Sequence, residues 1–204
     1  MTPAWIAPNR TALILIDCQV DFGAPDGAMA GQGADVTAAQ AALAKAMVLT
    51  DAARQAGTPV VFVRLLTRPG EESATMREAW QRRDENPPTL CVEGSRGADF
   101  IGPQPQSGDT IISKTRFSAF AGTGLADHLH RRGVDTLVLA GLTTECCVQS
   151  SAWDALERDF HVCVAADACA AYEPELHGLT LRALALNGVI VESTDIFATI
   201  WNSK

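Results

Sequence analysis

Short apolar runs alternate with helix-forming stretches along nearly the whole chain, and this alternation restricts the fold more than any single residue does. The runs are residues 12–16 (ALILI), 59–66 (PVVFVRLL), 110–113 (TIIS), 136–140 (TLVLA), 161–167 (HVCVAAD) and 189–192 (VIVE). Each is too short for a stable helix, and the second is almost continuously apolar, as a strand covered on both faces should be. Between them lie stretches rich in helix formers: 35–56, stopping at Gly57; 123–132, stopping at Gly133; a segment running from Cys147 towards Arg158; and 174–188. A short helix closes the chain after residue 192. Strand and helix in turn, with glycine at helix ends, predict an α/β fold. The expected form is a three-layer, doubly wound, mostly parallel sheet of about six strands with helices on both faces.

With 204 residues and 47% hydrophobic content, the chain suits one domain spanning residues 1–204. The net charge of −8 excludes nucleic acid and anionic membrane as natural partners, because both would repel such a surface. No apolar run reaches the roughly 18 residues of a membrane span. No basic segment followed by a separate apolar stretch marks the first residues as a secretory signal, so a cytoplasmic location is the default expectation. The six cysteines (Cys18, Cys91, Cys146, Cys147, Cys163 and Cys169) sit mostly inside apolar runs, which suits buried free thiols better than a disulfide framework.

Three of these runs end on, or lead into, residues with chemistry. DCQVDF places Asp17, SKTRFSAF places Lys114, and GLTTECCVQSSAWDAL places Cys147. In an open parallel sheet, the carboxyl ends of strands meet in one crevice regardless of their separation in sequence. An acid, a cation and a thiol gathered there are the parts of a cysteine-nucleophile hydrolase. Taken singly, each has a structural alternative: a buried thiol, a helix cap or salt bridge, a solvated surface lysine. Cys147 falls in the first turn of its expected helix, where Thr143 or Thr144 can act as the cap. Unpaired backbone N–H groups in that turn could hold an oxyanion.

These same motifs, with the trailing VAADACAA, resemble the isochorismatase-like cysteine hydrolases, which include nicotinamidase, N-carbamoylsarcosine amidase, and ureidoacrylate and biuret amidohydrolases. The resemblance extends from Thr11 to about Trp201. It implies that Asp17, Lys114 and Cys147 form a catalytic triad. It also implies a cis peptide at Leu142–Thr143 and an oxyanion hole made by the N–H groups of Thr143 and Cys147. The activity it implies is hydrolysis of a small amide, ureido or carbamoyl compound through a thioester. The alternatives are an isochorismatase-type vinyl-ether hydrolase and a non-catalytic binding protein on the same scaffold. Family members commonly form dimers or tetramers, so a homodimer or homotetramer is expected.

Around the triad, Gln19 either bonds a substrate or orients its loop, and Phe22, Phe117 and Phe120 either line a pocket or pack in the core. Arg64, Arg68 and Arg116 are candidates for a substrate carboxylate. No metal and no cofactor is expected. Nicotinamidase-like relatives hold a metal through an Asp-x-His element after strand two, where this chain reads VRLLTRPGEE, with no histidine before His128. Residues 67–108 lack a clear strand and carry a charged helical piece at 71–85. Such a segment is often a lid or a subunit contact.

Overall fold

In the computed structural model, which describes residues 6–68, 70–71, 73–82 and 89–202, the apolar runs pair into a single sheet. Its strands are β1 (Thr11–Ile16), β2 (Val60–Leu65), β3 (Thr110–Lys114), β4 (Thr136–Leu142), β5 (His161–Ala170) and β6 (Ile190–Glu192). They lie in the order β3-β2-β1-β4-β5-β6, and every neighbouring pair is parallel, which sharpens the expected mostly parallel sheet. The helices are α1 (Val20–Gly23), α2 (Ala28–Gly31), α3 (Thr37–Ala56), α4 (Ala74–Gln81), α5 (Leu125–Arg131), α6 (Gln149–Leu156), α7 (Pro174–Leu186) and α8 (Thr194–Asn202). None of them, among the described residues, is long and apolar enough to cross a membrane.

Successive strand residues face opposite sides of a sheet, and the two sides bury separate clusters here. Leu13, Leu15, Phe62, Val138 and Ala140 pack with α3 and α8, whereas Ile14, Ile16, Val61, Val63, Leu137 and Leu139 pack with α5, α6 and α7. Each such side chain, fully buried, contributes about 1.5–3 kcal/mol relative to exposure. The stripe that α3 turns inward is built on Ala39, Ala42, Leu43, Ala46, Leu49 and Ala53, spaced three and four apart, and its small side chains let the helix lie close on the strands. Asp35 Oδ1 accepts the Thr37 N–H at its start, and Gly57 ends it with a left-handed φ of 73°.

The strand order reverses between β1 and β4, and ligand crevices of doubly wound sheets open at such a reversal. Gly141 makes the two strands close there. It stands opposite Ile16 with φ +123°, and a Cβ would sit 1.9 Å from the Ile16 carbonyl oxygen. The β4–β5 ladder shifts register between Leu139 and Gly141 and then resumes at Gly141↔Cys169 and Leu142↔Ala170. Both strands therefore run past their expected ends at Ala140 and Asp167. The charged piece contains α4, while residues 72 and 83–88, with Pro87 and Pro88, lie outside the described residues. The rest of that segment is held by isolated bridges, Thr67 to Val92 and Gln19 to Phe100, and by a short 3-10 turn at Arg96–Ala98.

Candidate active site

Asp17 follows β1, Lys114 ends β3, and Cys147 lies just past β4. β3 is two strands from β1, roughly 10 Å at ordinary strand spacing, so only a long side chain from β3 reaches the switch point. Lys114 crosses that gap. Its Nζ lies 2.7 Å from Asp17 Oδ2, 3.3 Å from Cys147 Sγ and 3.0 Å from the Arg116 carbonyl oxygen. Three partners match the three N–H donors of an ammonium group. The side chains of Asp17 and Lys114 are 0% exposed, and Cys147 is buried. Among the described residues, the ion pair with Lys114 is the one polar side-chain contact that the Asp17 oxygens make. That leaves a buried carboxylate with acceptor capacity to spare beside a thiol.

Burial opposes the charge on Lys114, but Asp17 and Cys147 outweigh it and raise the ammonium above the ordinary lysine range. The Cys146 sulfur, burial and the Asp17 carboxylate push the Cys147 thiol well up, against the pull of Lys114. The resting arrangement is therefore a protonated thiol beside a charged ammonium.

Backbone geometry presents these groups. Asp17 has φ 50°, a left-handed conformation that Asp tolerates better than most residues, and its N–H bonds to the Val63 carbonyl at 2.8 Å. The Leu142–Thr143 peptide is cis. Beyond it the chain does not enter an α-helix at once. Val148 and Gln149 reach back five residues, to the carbonyls of Thr143 and Thr144, so Cys147 sits in a π-helical turn ahead of α6. The threonine cap is not made: the Thr143 side chain makes no capping bond, and Thr144 Oγ1 instead pairs with His177 Nδ1 at 2.8 Å. A wide turn moves the end N–H groups away from the threonine hydroxyls.

Ser151, which the sequence did not single out, ties two of the motifs together. Its hydroxyl donates to the Cys147 carbonyl at 2.6 Å and accepts the Ala119 N–H at 2.9 Å. Position i+4 from Cys147 was the available signal. Ser151→Ala strands the buried Ala119 N–H and removes one bond to the Cys147 carbonyl. We expect it to cost about 1–3 kcal/mol in denaturant unfolding; a loss below ~0.5 kcal/mol would show that the bridge carries no stability.

Other expected site residues fare differently. Gln19 is buried, donating both amide hydrogens to the carbonyls of Leu65 and Ala98 and accepting the Leu65 N–H, so it orients the loop by tying it to two distant segments. Phe22, in α1, and Phe120 are buried, one in each of the two core clusters. Phe117 is 43% exposed. Arg116 lines a cavity of about 450 Å³ beside Lys114, with Arg68, Ser113, Thr115 and Thr123. Lys114 is the one member of the cluster in its wall.

Two further residues adjoin the site without a sequence signal. Cys91, at φ 53°, has its N–H held by Asp21 Oδ2 at 2.7 Å. The Tyr172 hydroxyl donates to the Phe22 carbonyl, and burial, Glu145, Cys91, Cys147 and Asp17 all raise its pKa. Of the histidines, His130 stacks on Phe160, His128 Nε2 pairs with Thr110 Oγ1, and burial lowers His177, leaving it neutral beside Thr144.

Fold and site together define a parallel α/β protein with a thiol-centred cluster at the switch point of its sheet. The chain belongs to the isochorismatase family: residues 11–196 match the isochorismatase domain model. It is 32% identical over 194 residues to a ureidoacrylate amidohydrolase of Methylobacterium radiotolerans, covering 88% of this chain and 74% of that protein. It is 34% identical over 160 residues to a maleamate amidohydrolase of Pseudomonas putida, covering 76% and 70%. A crystal structure of a cysteine hydrolase from Pseudomonas syringae pv. phaseolicola superposes with a TM-score of 0.85 at 26% identity, covering 98% of this chain and 96% of that one.

Proposed function

We propose that the protein is a cysteine-dependent amidohydrolase that cleaves a small amide, ureido or carbamoyl compound through a thioester on Cys147. The observation that carries this reading is the Lys114 ammonium, buried between the Asp17 carboxylate and the Cys147 sulfur. The similarity to two proteins named as amidohydrolases supports the reaction class.

In the proposed cycle, Asp17 takes the thiol proton as sulfur attacks the carbonyl carbon. The electron pair moves to the carbonyl oxygen, which the Thr143 and Cys147 N–H groups stabilise with help from the Lys114 charge. Asp17 returns the proton to the departing nitrogen, which leaves as ammonia or an amine. Water, deprotonated by Asp17, then attacks the thioester, releasing the acid and restoring the thiol. Lys114 keeps its own proton throughout, because its raised affinity for that proton suits it to balance charge and not to transfer it.

The test is ammonia release from a panel of primary amides and ureido compounds, with acid-quenched samples digested and weighed for an acyl adduct on the Cys147 peptide. We expect both signals with the same substrate. Silence across the whole panel would remove the reading, and turnover without an adduct would remove the thioester.

A further inference from the structure

The π-helical turn that carries Cys147 is held from outside by a side chain that the proposed cycle does not use. The β4–β5 ladder resumes beyond its register shift at Gly141↔Cys169 and Leu142↔Ala170, so the two strands leave the sheet side by side. β4 runs into the cis peptide and the Cys147 turn, while β5 runs through Ala171, Tyr172 and Glu173 into α7. Pro174 fixes the start of that helix. His177 therefore falls at the end of the first turn of α7, which packs on residues 144–148. Its Nδ1 lies 2.8 Å from the Thr144 hydroxyl oxygen, the ring's one hydrogen bond among the described residues. Thr144 is 0% exposed, so its hydroxyl has no bulk solvent to turn to.

We propose that His177 is a positioning residue: through the Thr144 hydroxyl it keeps the turn wide, and so aims the Cys147 sulfur and its neighbouring N–H groups at the substrate carbonyl. A threonine at a helix start ordinarily bonds the backbone of its own first turn, which favours an α-turn. Here the ring takes that hydroxyl. The cap is not made, and Val148 and Gln149 reach back to the carbonyls of Thr143 and Thr144. An α-turn would hand the Val148 N–H to the Thr144 carbonyl and move the sulfur relative to Asp17 and Lys114. A displacement of ~1 Å at a reacting centre costs about 10²-fold in rate. The ring suits this task because burial outweighs the Glu145 charge and keeps it neutral. A neutral imidazole can pair with a hydroxyl as donor or as acceptor. The effect on rate rests on the amidohydrolase reading; the effect on the turn does not.

His177→Leu removes the ring nitrogen, Thr144→Val removes the hydroxyl while keeping the side chain's shape, and His177→Asn keeps a polar group at about the reach of Nδ1. On an amide that the parent turns over, His177→Leu and Thr144→Val are each expected to lower kcat roughly 10- to 100-fold with KM within about threefold. His177→Asn should recover most of that rate, and the His177→Leu/Thr144→Val double variant should be no slower than the slower single one. Crystal structures of both single variants should show the Val148 N–H withdrawn from the Thr143 carbonyl. A His177→Leu enzyme within about threefold of the parent kcat, losses that multiply in the double variant, or a Val148 N–H still on Thr143 in both structures overturns the proposal. If His177→Leu does not fold, Thr144→Val set against Thr144→Ser carries the same test. Turnover by the parent tells the two readings apart. No ammonia from any amide would end the amidohydrolase and leave the turn geometry to decide the positioning, whereas ammonia release at an unchanged kcat in the variants would keep the amidohydrolase and end the positioning.

Discussion

Replacing Cys147 by alanine is expected to cut amide turnover by at least about 10⁴-fold, some 5.5 kcal/mol of transition-state stabilisation. The size follows from how few atoms in the cluster can form a covalent bond. The Lys114 nitrogen is held as ammonium by Asp17 and Cys147, and an ammonium has no lone pair with which to attack a carbonyl. Asp17 is fully buried and faces the lysine. Sulfur remains, and its loss leaves no atom in the cluster able to form the proposed covalent bond. Cys163→Ala is the control: that thiol sits within β5 in the cluster packed on α3, pushed up to about 12 by burial, and its removal should spare most of the activity. Steady-state ammonia release decides the matter. A Cys147→Ala protein within tenfold of the parent would show that sulfur is not the nucleophile.

Lys114→Met should be the most destabilising single change at the site, at about 3–5 kcal/mol. It removes the one cation that meets Asp17 and leaves a buried carboxylate with no hydrogen-bond partner among the described residues. Asp17→Asn removes that charge, and asparagine tolerates the φ of 50° at this position. The double variant should therefore be more stable than Lys114→Met alone, by ~2 kcal/mol, and denaturant unfolding of the four proteins gives the coupling directly. The sign of the pH dependence is also set. Lys114 binds its proton more tightly in the folded chain than in the unfolded one, so its contribution is complete below about 10.4. It drains away as pH rises through the native value. At pH 7 the gap between parent and Lys114→Met is at its full size, and it narrows only in strong alkali. Equal stabilities at pH 7 would mean that the pair contributes nothing to the fold.

Much of this architecture was legible residue by residue. The run ALILID announced both β1 and the acid after it, because a strand buried on both faces has no other place for a carboxylate than its end. Residues 35–56 announced α3 through alanines spaced for one face and a glycine to stop the helix. The limits were equally physical. Gln19 looks like a substrate ligand in DCQVDF, yet its partners come from Leu65 and Ala98, 46 and 79 residues away. Thr143 and Thr144 look like helix caps, but the wider turn around Cys147 puts their hydroxyls elsewhere.

What the chain determined by itself was the alternation of strand and helix and the placing of Asp17, Lys114 and Cys147 at strand ends, since periodicity and end chemistry are properties of a few neighbouring residues. Strand order, register and the closing of loops belong to contacts between distant segments. Only those contacts decided that Lys114 must reach past β2, that Ser151 joins two motifs, and that Gln19 is held by segments far along the chain.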